Sequence, residues 1–441
     1  MPSYLPHLRV VLMRTMITFL LALCFICYPA RAQSVARFSL TEAQEYAVSH
    51  NFLRLNAQID LESADSKIWE TTASGLPQIT GQMDYRHNVT SLPTIEFGDQ
   101  KISTGVKNNL TGNVTLSQLV FSGSYIVGLQ ASRTYKAISE LALEKTDKEL
   151  KAQTAETYFL VQVARKQHAL LFENLALVDK LLSDAKASYQ QGLVQASDVM
   201  QLEVNRSLLQ VECRQSERQA STTLQLLKYV IGLAPSDSLQ LSDSLEILMG
   251  TVTADYLSIR AIDPETNIDV RISEVQKKSA ELLLKLKQTE YLPTLSGFVD
   301  YQRAFTLPEF AFAKPNTVLA GLSLQMPIFS SGMRSARVHQ ARNDLRKSIY
   351  LRELTVRQTL LAFTQHSDAF HQSYEAWVSQ QKNLQVSRKI FDEYSIRYSG
   401  GMASSMELTQ ANNSYLQAVG ALIKAQLDLF NAKVGIDKIV F

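Results

Sequence analysis

Residues 79–90, ITGQMDYRHNVT, alternate almost without exception. Ile79, Gly81, Met83, Tyr85, His87 and Val89 fall on one side of an extended chain, and Thr80, Gln82, Asp84, Arg86, Asn88 and Thr90 fall on the other. A second run, 110–117, sets Leu110, Gly112, Val114 and Leu116 against Thr111, Asn113, Thr115 and Ser117. Both read as strands with one apolar and one polar face. Around them the pattern is helical. Residues 41–74 contain no Gly or Pro and follow Ser39-Leu-Thr-Glu42, a capping-box pattern, so they predict one helix. Residues 129–191 also lack both and predict a helix of about 95 Å, at about 1.5 Å per residue. Gly192 breaks it, and 196–231 predict a further helix ending at Gly232.

The chain then repeats itself. Residues 51–85 align without gaps on 267–301, placing Asn51 on Asn267, Pro77 on Pro293 and Asp84-Tyr85 on Asp300-Tyr301. Farther on, VTLSQLVFS matches LSLQMPIFS, and SYQQGLVQASDVMQ matches RYSGGMASSMELTQ. The spacing from Tyr189 to Tyr398, about 209 residues, is far too long for a solenoid unit. The second copy therefore predicts a helix near 267–290, strands near 294–305 and 317–327, and a long helix over 333–399. A break at Gly400-Gly401 and a last helix from 405 complete it. The organisation is a leader (1–32), a first repeat (33–233), an irregular link (234–262) rich in Ser and Asp, and a second repeat (263–441). In each repeat the two shorter helices together match the long one. Laid antiparallel along it, they cover its length through heptad-type seams.

A soluble sheet would need a core under its apolar face, but every helix is committed to a long bundle. About ten alternating residues, apolar outward and polar inward, is the pattern of a transmembrane β-strand. Tyr85, Phe121, Tyr301, Phe305 and Phe329 near the strand ends suit interfacial girdles. Open sheet edges are intolerable in hydrocarbon, and barrels begin at about eight strands. Four strands per chain therefore demand an oligomer. Three copies would supply twelve, although strand counting alone does not choose three over two or four.

Charge and targeting agree with an exported chain. Arg9 and Arg14 precede MITFLLALCFICYPA, an apolar run of signal-peptide length, and ARA offers small residues before Gln33. The alternative, a lipid-anchored Cys24 or Cys27, would place bulky Leu23 or Ile26 where a small residue belongs. Cleavage after Ala32 removes Arg9, Arg14 and Arg31 and lowers the formal net charge from +2 to −1, leaving no nucleic-acid footprint. Only Cys213 remains, so an internal disulfide is excluded. Beyond the leader no window of about 18 residues is continuously apolar, so no membrane helix is expected.

No enzyme is expected either. His366 and His371 are five apart on one helix and do not share a face, and no acid or cysteine cluster completes a metal site. Cys213 reads as a small buried apolar residue. The NVT triplets at Asn88 and Asn113 lie in membrane strands, where glycosylation has no place.

LTEAQEYAVSHN, LPQITGQMDY, MPIFSSGMRSARVHQAR and RYSGGMASSMELTQANNSYLQA resemble the outer-membrane efflux proteins of the TolC family, across essentially the whole mature chain. The resemblance implies a mainly α fold with a membrane β part: a long α-helical barrel continued by a twelve-strand transmembrane β-barrel, closed as a homotrimer. It further implies an exit duct of a tripartite pump or type I secretion system, without a cofactor, served by a periplasmic adaptor and an inner-membrane transporter. Gly192-Leu193-Val194 and Gly401-Met402-Ala403 match the family's adaptor-docking tips. As plain helix breaks they need no partner, and both readings hold together.

Asp198 and Glu407 lie one turn past those tips, where family acids ring the pore; as first-turn acids they also suit helix dipoles, and Ser404-Ser-Met-Glu407 is a capping box. Tyr398 matches a gate tyrosine expected to pair with Asp198. Gln410 and Ala403 stand where relatives carry an acid and an arginine, which implies a gate more weakly locked by charge. The competing class is a non-conducting structural or adhesive coiled coil anchored in the outer membrane, which would leave the polar strand faces without a purpose.

Overall fold

The computed structural model describes residues 36–90, 94–97, 100–103, 107–192, 194–252, 254–305 and 316–440. The expected leader and Leu193 lie outside the described residues. β1 (Ala36–Phe38) leads into α1 (Leu40–His50) and α2 (Phe52–Ala73). Then come β2 (Gln78–His87), a short hairpin of β3 (Thr94–Phe97) and β4 (Gln100–Ser103), and β5 (Asn108–Phe121). α3 (Gly123–Gln190) and α4 (Ala196–Ile231) complete the first copy. After β6 (Leu239–Leu241) and α5 (Leu245–Gly250), the second copy runs α6 (Ile268–Thr289), β7 (Thr294–Ala304), β8 (Asn316–Gln325), α7 (Met333–Ser399) and α8 (Ser405–Val440).

Two expectations need correction. The helix read over 41–74 is two helices, because Asn51 adopts an extended backbone between them. Its Oδ1 accepts from the Leu53 N–H at 2.7 Å, and its Nδ2 donates to the Val230 carbonyl at 2.7 Å. Asn267 makes the same pair of bonds, to the Asp269 N–H and the Ile439 carbonyl. Each asparagine thus caps one helix and ties it to the end of another. The link over 234–262, read as irregular, is also ordered in part. β6 pairs in parallel with β1, from Ala36 opposite Leu239 to Phe38 opposite Leu241.

The expected antiparallel packing is written in the cross-helix ion pairs. Arg54–Asp147 and Lys136–Asp65 join α2 to α3, while Arg206–Asp179 and Lys186–Glu203 join α4 to α3. In each pair of contacts one number rises as the other falls. Arg337–Glu290 and Arg352–Glu274 do the same for α6 and α7. Such partly exposed pairs contribute at most about 1 kcal/mol each, so they mark register more than they supply stability. Stability comes from a core where the copies meet at mid-length. There Phe159 stacks on Phe430 with centroids 4.1 Å apart, over fully buried Tyr158, Leu227, Phe370 and Leu429. The Tyr158 hydroxyl donates to the Phe38 carbonyl and accepts from the Asp243 N–H, pinning the β1–β6 ribbon onto α3.

Candidate functional site: a sheet with free edges and two hairpin tips

The helices lift one sheet to the far end of the molecule. Its order is β2-β5-β7-β8, antiparallel throughout, so among the described residues β2 and β8 are unpaired edges. Direct partners share a face. Thr80, Thr115 and Asp300 form one row, and Gln82, Asn113, Gln302 and Thr317 another. Thr115 Oγ1 donates to Asp300 Oδ1 at 2.6 Å across the first. The opposite face carries Ile79, Leu116, Val299 and Ala320 in one row and Gly81, Val114, Tyr301 and Val318 in the next. Among the described residues no helix covers that face: Ile79 is 74% exposed and Leu322 is 73% exposed.

Several residues break the pattern. Leu319, opposite Asp300, Phe298, opposite Gly321, and Leu119, opposite Ser296, fall on the polar face, while Arg303, opposite Gly112, and Gln118, opposite Gly297, fall on the apolar one. Phe298 has a local reason. A Cβ on Gly321 would stand 2.9 Å from its ring, so the glycine leaves room for the ring to lie on the strand.

The single chain is open along its helices as well. α4 buries Leu202, Leu209 and Cys213 against α3, yet Met200, Val204, Leu208 and Val211 stand exposed at helical spacing on another face. α7, at the opposite border, exposes Tyr350, Leu354, Leu361 and Val386. Both borders of the chain are therefore apolar and uncovered. Among the described residues no helix is long and apolar enough to cross a membrane, and no group of three potential ligands could hold a metal.

At the end remote from the sheet are the tips. Gly192 has φ +73° and Gly401 φ +68°, the left-handed conformation that glycine adopts without strain. At the second tip the Met402 N–H donates to the Arg397 carbonyl at 2.8 Å and the Gly401 N–H to the Tyr398 carbonyl at 3.0 Å, a paired helix-end closure. Met402 at the apex is exposed, and Ala403 and Val194 are half-buried.

The two equivalent acids do different things. Glu407 closes the capping box: its Oε2 accepts from the Ser404 N–H at 2.8 Å and hydroxyl at 2.9 Å, while Ser404 Oγ accepts from the Glu407 N–H. The bond from the Ser404 N–H holds its carboxyl below the usual range, helped by the Ser404 hydroxyl. Asp198 caps nothing by this route; its Oδ1 accepts from the Ser405 hydroxyl of the other hairpin. The expected Tyr398–Asp198 hydrogen bond is not formed. The Tyr398 hydroxyl is buried without a partner, and its ring packs between Leu182, Ala185 and Leu202 on one side and Leu408 and Ala411 on the other. Burial pushes the Tyr398 pKa up, with smaller contributions from the negative charges of Asp198 and Asp184. Gln410 is exposed one turn along α8 from Glu407. Ser405 escapes sequence reading because a serine beside a capping serine carries no periodic or motif signal.

Comparison with known proteins meets this geometry from outside. The model of the outer membrane efflux protein family matches twice, over residues 47–232 and 265–440. The outer membrane efflux protein BepC of Brucella suis biovar 1 (strain 1330) is 21% identical over 401 residues, covering 90% of this chain and 84% of that protein. The CmeC outer membrane channel of Campylobacter jejuni superposes with a TM-score of 0.74 at 18% identity, covering 91% of this chain and 85% of that one. VceC from Vibrio cholerae gives 0.71 at 16% identity, covering 91% and 95%. The fold is thus that of the outer-membrane channels, a helical barrel continued by a β-barrel. The free-edged sheet, the long paired helices and the doubled family match converge: the chain belongs to the outer membrane efflux protein family and resides in the outer membrane.

Proposed function

We propose that three copies of this chain, exported by cleavage of residues 1–32, close into one duct that passes cargo from the periplasm to the outside. The observation that carries this reading is the pair of unpaired edges, β2 and β8, on a sheet with one apolar and one polar face. Edges of this kind need partners in hydrocarbon. Joining β8 of one chain to β2 of the next preserves the antiparallel order and closes twelve strands around a polar interior. The same closure brings the apolar borders of α4 and α7 together along the tunnel.

The duct is the exit of a tripartite efflux pump or a type I secretion system. A periplasmic adaptor docks on the tips at Gly192, Leu193, Val194, Gly401, Met402 and Ala403, and an inner-membrane transporter supplies the cargo. Asp198, Tyr398, Glu407 and Gln410 form the gate above the tips. The uncharged Gln410 and Ala403 leave that gate less tightly locked.

Conductance of purified protein in a planar bilayer tests the duct. Discrete single-channel steps are expected, rising when a voltage or urea loosens the tip. Trimers that insert yet never conduct under any of these conditions would make the chain an anchored coiled coil instead.

A further inference from the structure

The two tips share a glycine turn and part company one turn later. Glu407 is spent on its own helix, bonded to Ser404. Asp198 lies in the first turn of a helix whose N-cap, Gln195, makes no side-chain cap bond, and it reaches across to the other hairpin instead. Its partner Ser405 is the first residue of α8 and only 2% exposed. The carboxylate therefore meets a shielded hydroxyl at the positive end of a helix, where both the hydrogen bond and the helix dipole favour its charge.

The polar groups along the rest of this seam between the hairpins are poorly satisfied. Higher up, Asn174 Nδ2 donates to Asn412 Oδ1 at 3.2 Å, while Asn174 Oδ1 and Asn412 Nδ2 are buried without partners. The Tyr398 and Thr409 hydroxyl oxygens are in the same condition. Such orphaned groups favour separation of the seam, since opening returns them to water. Beside the apolar packing of Tyr398, what opposes separation at the tip is this charge-assisted bond.

We propose that the Ser405–Asp198 hydrogen bond is the latch holding the two tip hairpins of one chain together, and that Ser405 rather than Tyr398 positions Asp198. The inference rests on the duct reading above and names the contact that regulates it. Opening requires the bond to break and Asp198 to find water. Removing the Ser405 hydroxyl releases the carboxylate without altering any charge.

Single-channel recording of wild type, Ser405→Ala, Ser405→Thr, Tyr398→Phe, Asp198→Asn and the Ser405→Ala/Asp198→Asn double variant tests this. Ser405→Ala is expected to raise the open-to-closed ratio about tenfold, equivalent to about 1.4 kcal/mol. Ser405→Thr, which keeps a hydroxyl, should stay closer to wild type. The double variant should open no further than its more open parent, and Tyr398→Phe should open less than Ser405→Ala. A Ser405→Ala channel indistinguishable from wild type, or a Tyr398→Phe channel opened at least as far as Ser405→Ala, would overturn the latch.

A second measurement separates this from failure of the duct reading. Spin labels at Gln195→Cys and Met406→Cys, with Cys213→Ser and one labelled chain per trimer, report hairpin separation without any current. Ser405→Ala should lengthen and broaden that distance whether or not the trimer conducts. An unchanged distance overturns the latch, whereas a non-conducting wild type with a responsive distance overturns only the duct.

Discussion

Val114 and Thr115 are neighbours in the chain and should behave as opposites. Val114 lies near the middle of β5, flanked by Gly81 on β2 and Tyr301 on β7, and its side chain is 47% exposed on the uncovered apolar face. Val114→Arg would put a guanidinium into lipid with no acid opposite it on either side. At the midplane of a barrel this costs about 2–4 kcal/mol per chain, or about 30- to 900-fold in each chain's folding equilibrium. Thr115 points the other way, beside Thr80 and within hydrogen-bond distance of Asp300. An arginine there would meet water and the Asp300 carboxylate, so assembly should persist and cation conductance should fall. The assay is the fraction of heat-modifiable trimer recovered from outer membranes, followed by conductance of whatever assembles. Equal assembly defects in the two variants, or a larger one for Thr115→Arg, would refute the face assignment and with it the membrane reading of the sheet.

Leu208→Glu places a charge on the uncovered apolar border of α4, where Leu208 is 63% exposed; native mass spectrometry should show loss of trimer while circular dichroism reports unchanged helix content, and intact trimer would mean this border is no interface. Asn51→Ala removes a cap and its tie to Val230, so urea unfolding of the helical part should lose about 1–2 kcal/mol; a change within about 0.5 kcal/mol would put it among ordinary surface substitutions. Acid should loosen the link between α3 and α6. Arg271, 2.7 Å from Glu144, holds that carboxyl below its ordinary value of 4.5. A lowered folded value means the contribution is present above the unfolded pKa and disappears as pH falls through the folded one. Melting temperature should therefore drop on acidification below that range, and Glu144→Gln should flatten this limb; an unchanged slope would discount the pair.

What could be read from the chain, and what could not, divides by the range of the signal. Alternation at 79–90 and 110–117 is local, and the sheet carries those faces as expected, except that β2 ends at His87, short of the expected Thr90. Capping boxes are local too: Ser39 with Glu42 and Ser404 with Glu407 both close in the structure. The break at Asn51 was hidden because asparagine is tolerated within helices and no Gly or Pro marks the site. Its alignment with Asn267, where the second copy's helix begins, was the available clue. β6 escaped because its partner β1 lies some two hundred residues away, and parallel pairing over that distance leaves no trace in a short window. The latch was invisible for the same reason. Ser405 and Asp198 are 207 positions apart, and only folding brings them together.

The free edges of the sheet bear on the safety of the envelope. A lone chain, or two chains, would leave strand edges facing hydrocarbon, a state that lipid penalises for every unpaired N–H and C=O. If three chains close as proposed, partial assemblies are kept out of the bilayer, and a membrane holding this protein holds either a finished barrel or none. On that closure, leakage through half-built pores is suppressed because the geometry makes insertion an all-or-nothing event. Pore number should then rise more steeply than linearly with chain concentration at low expression. A cell could therefore keep traces of this chain in its periplasm without breaching its permeability barrier.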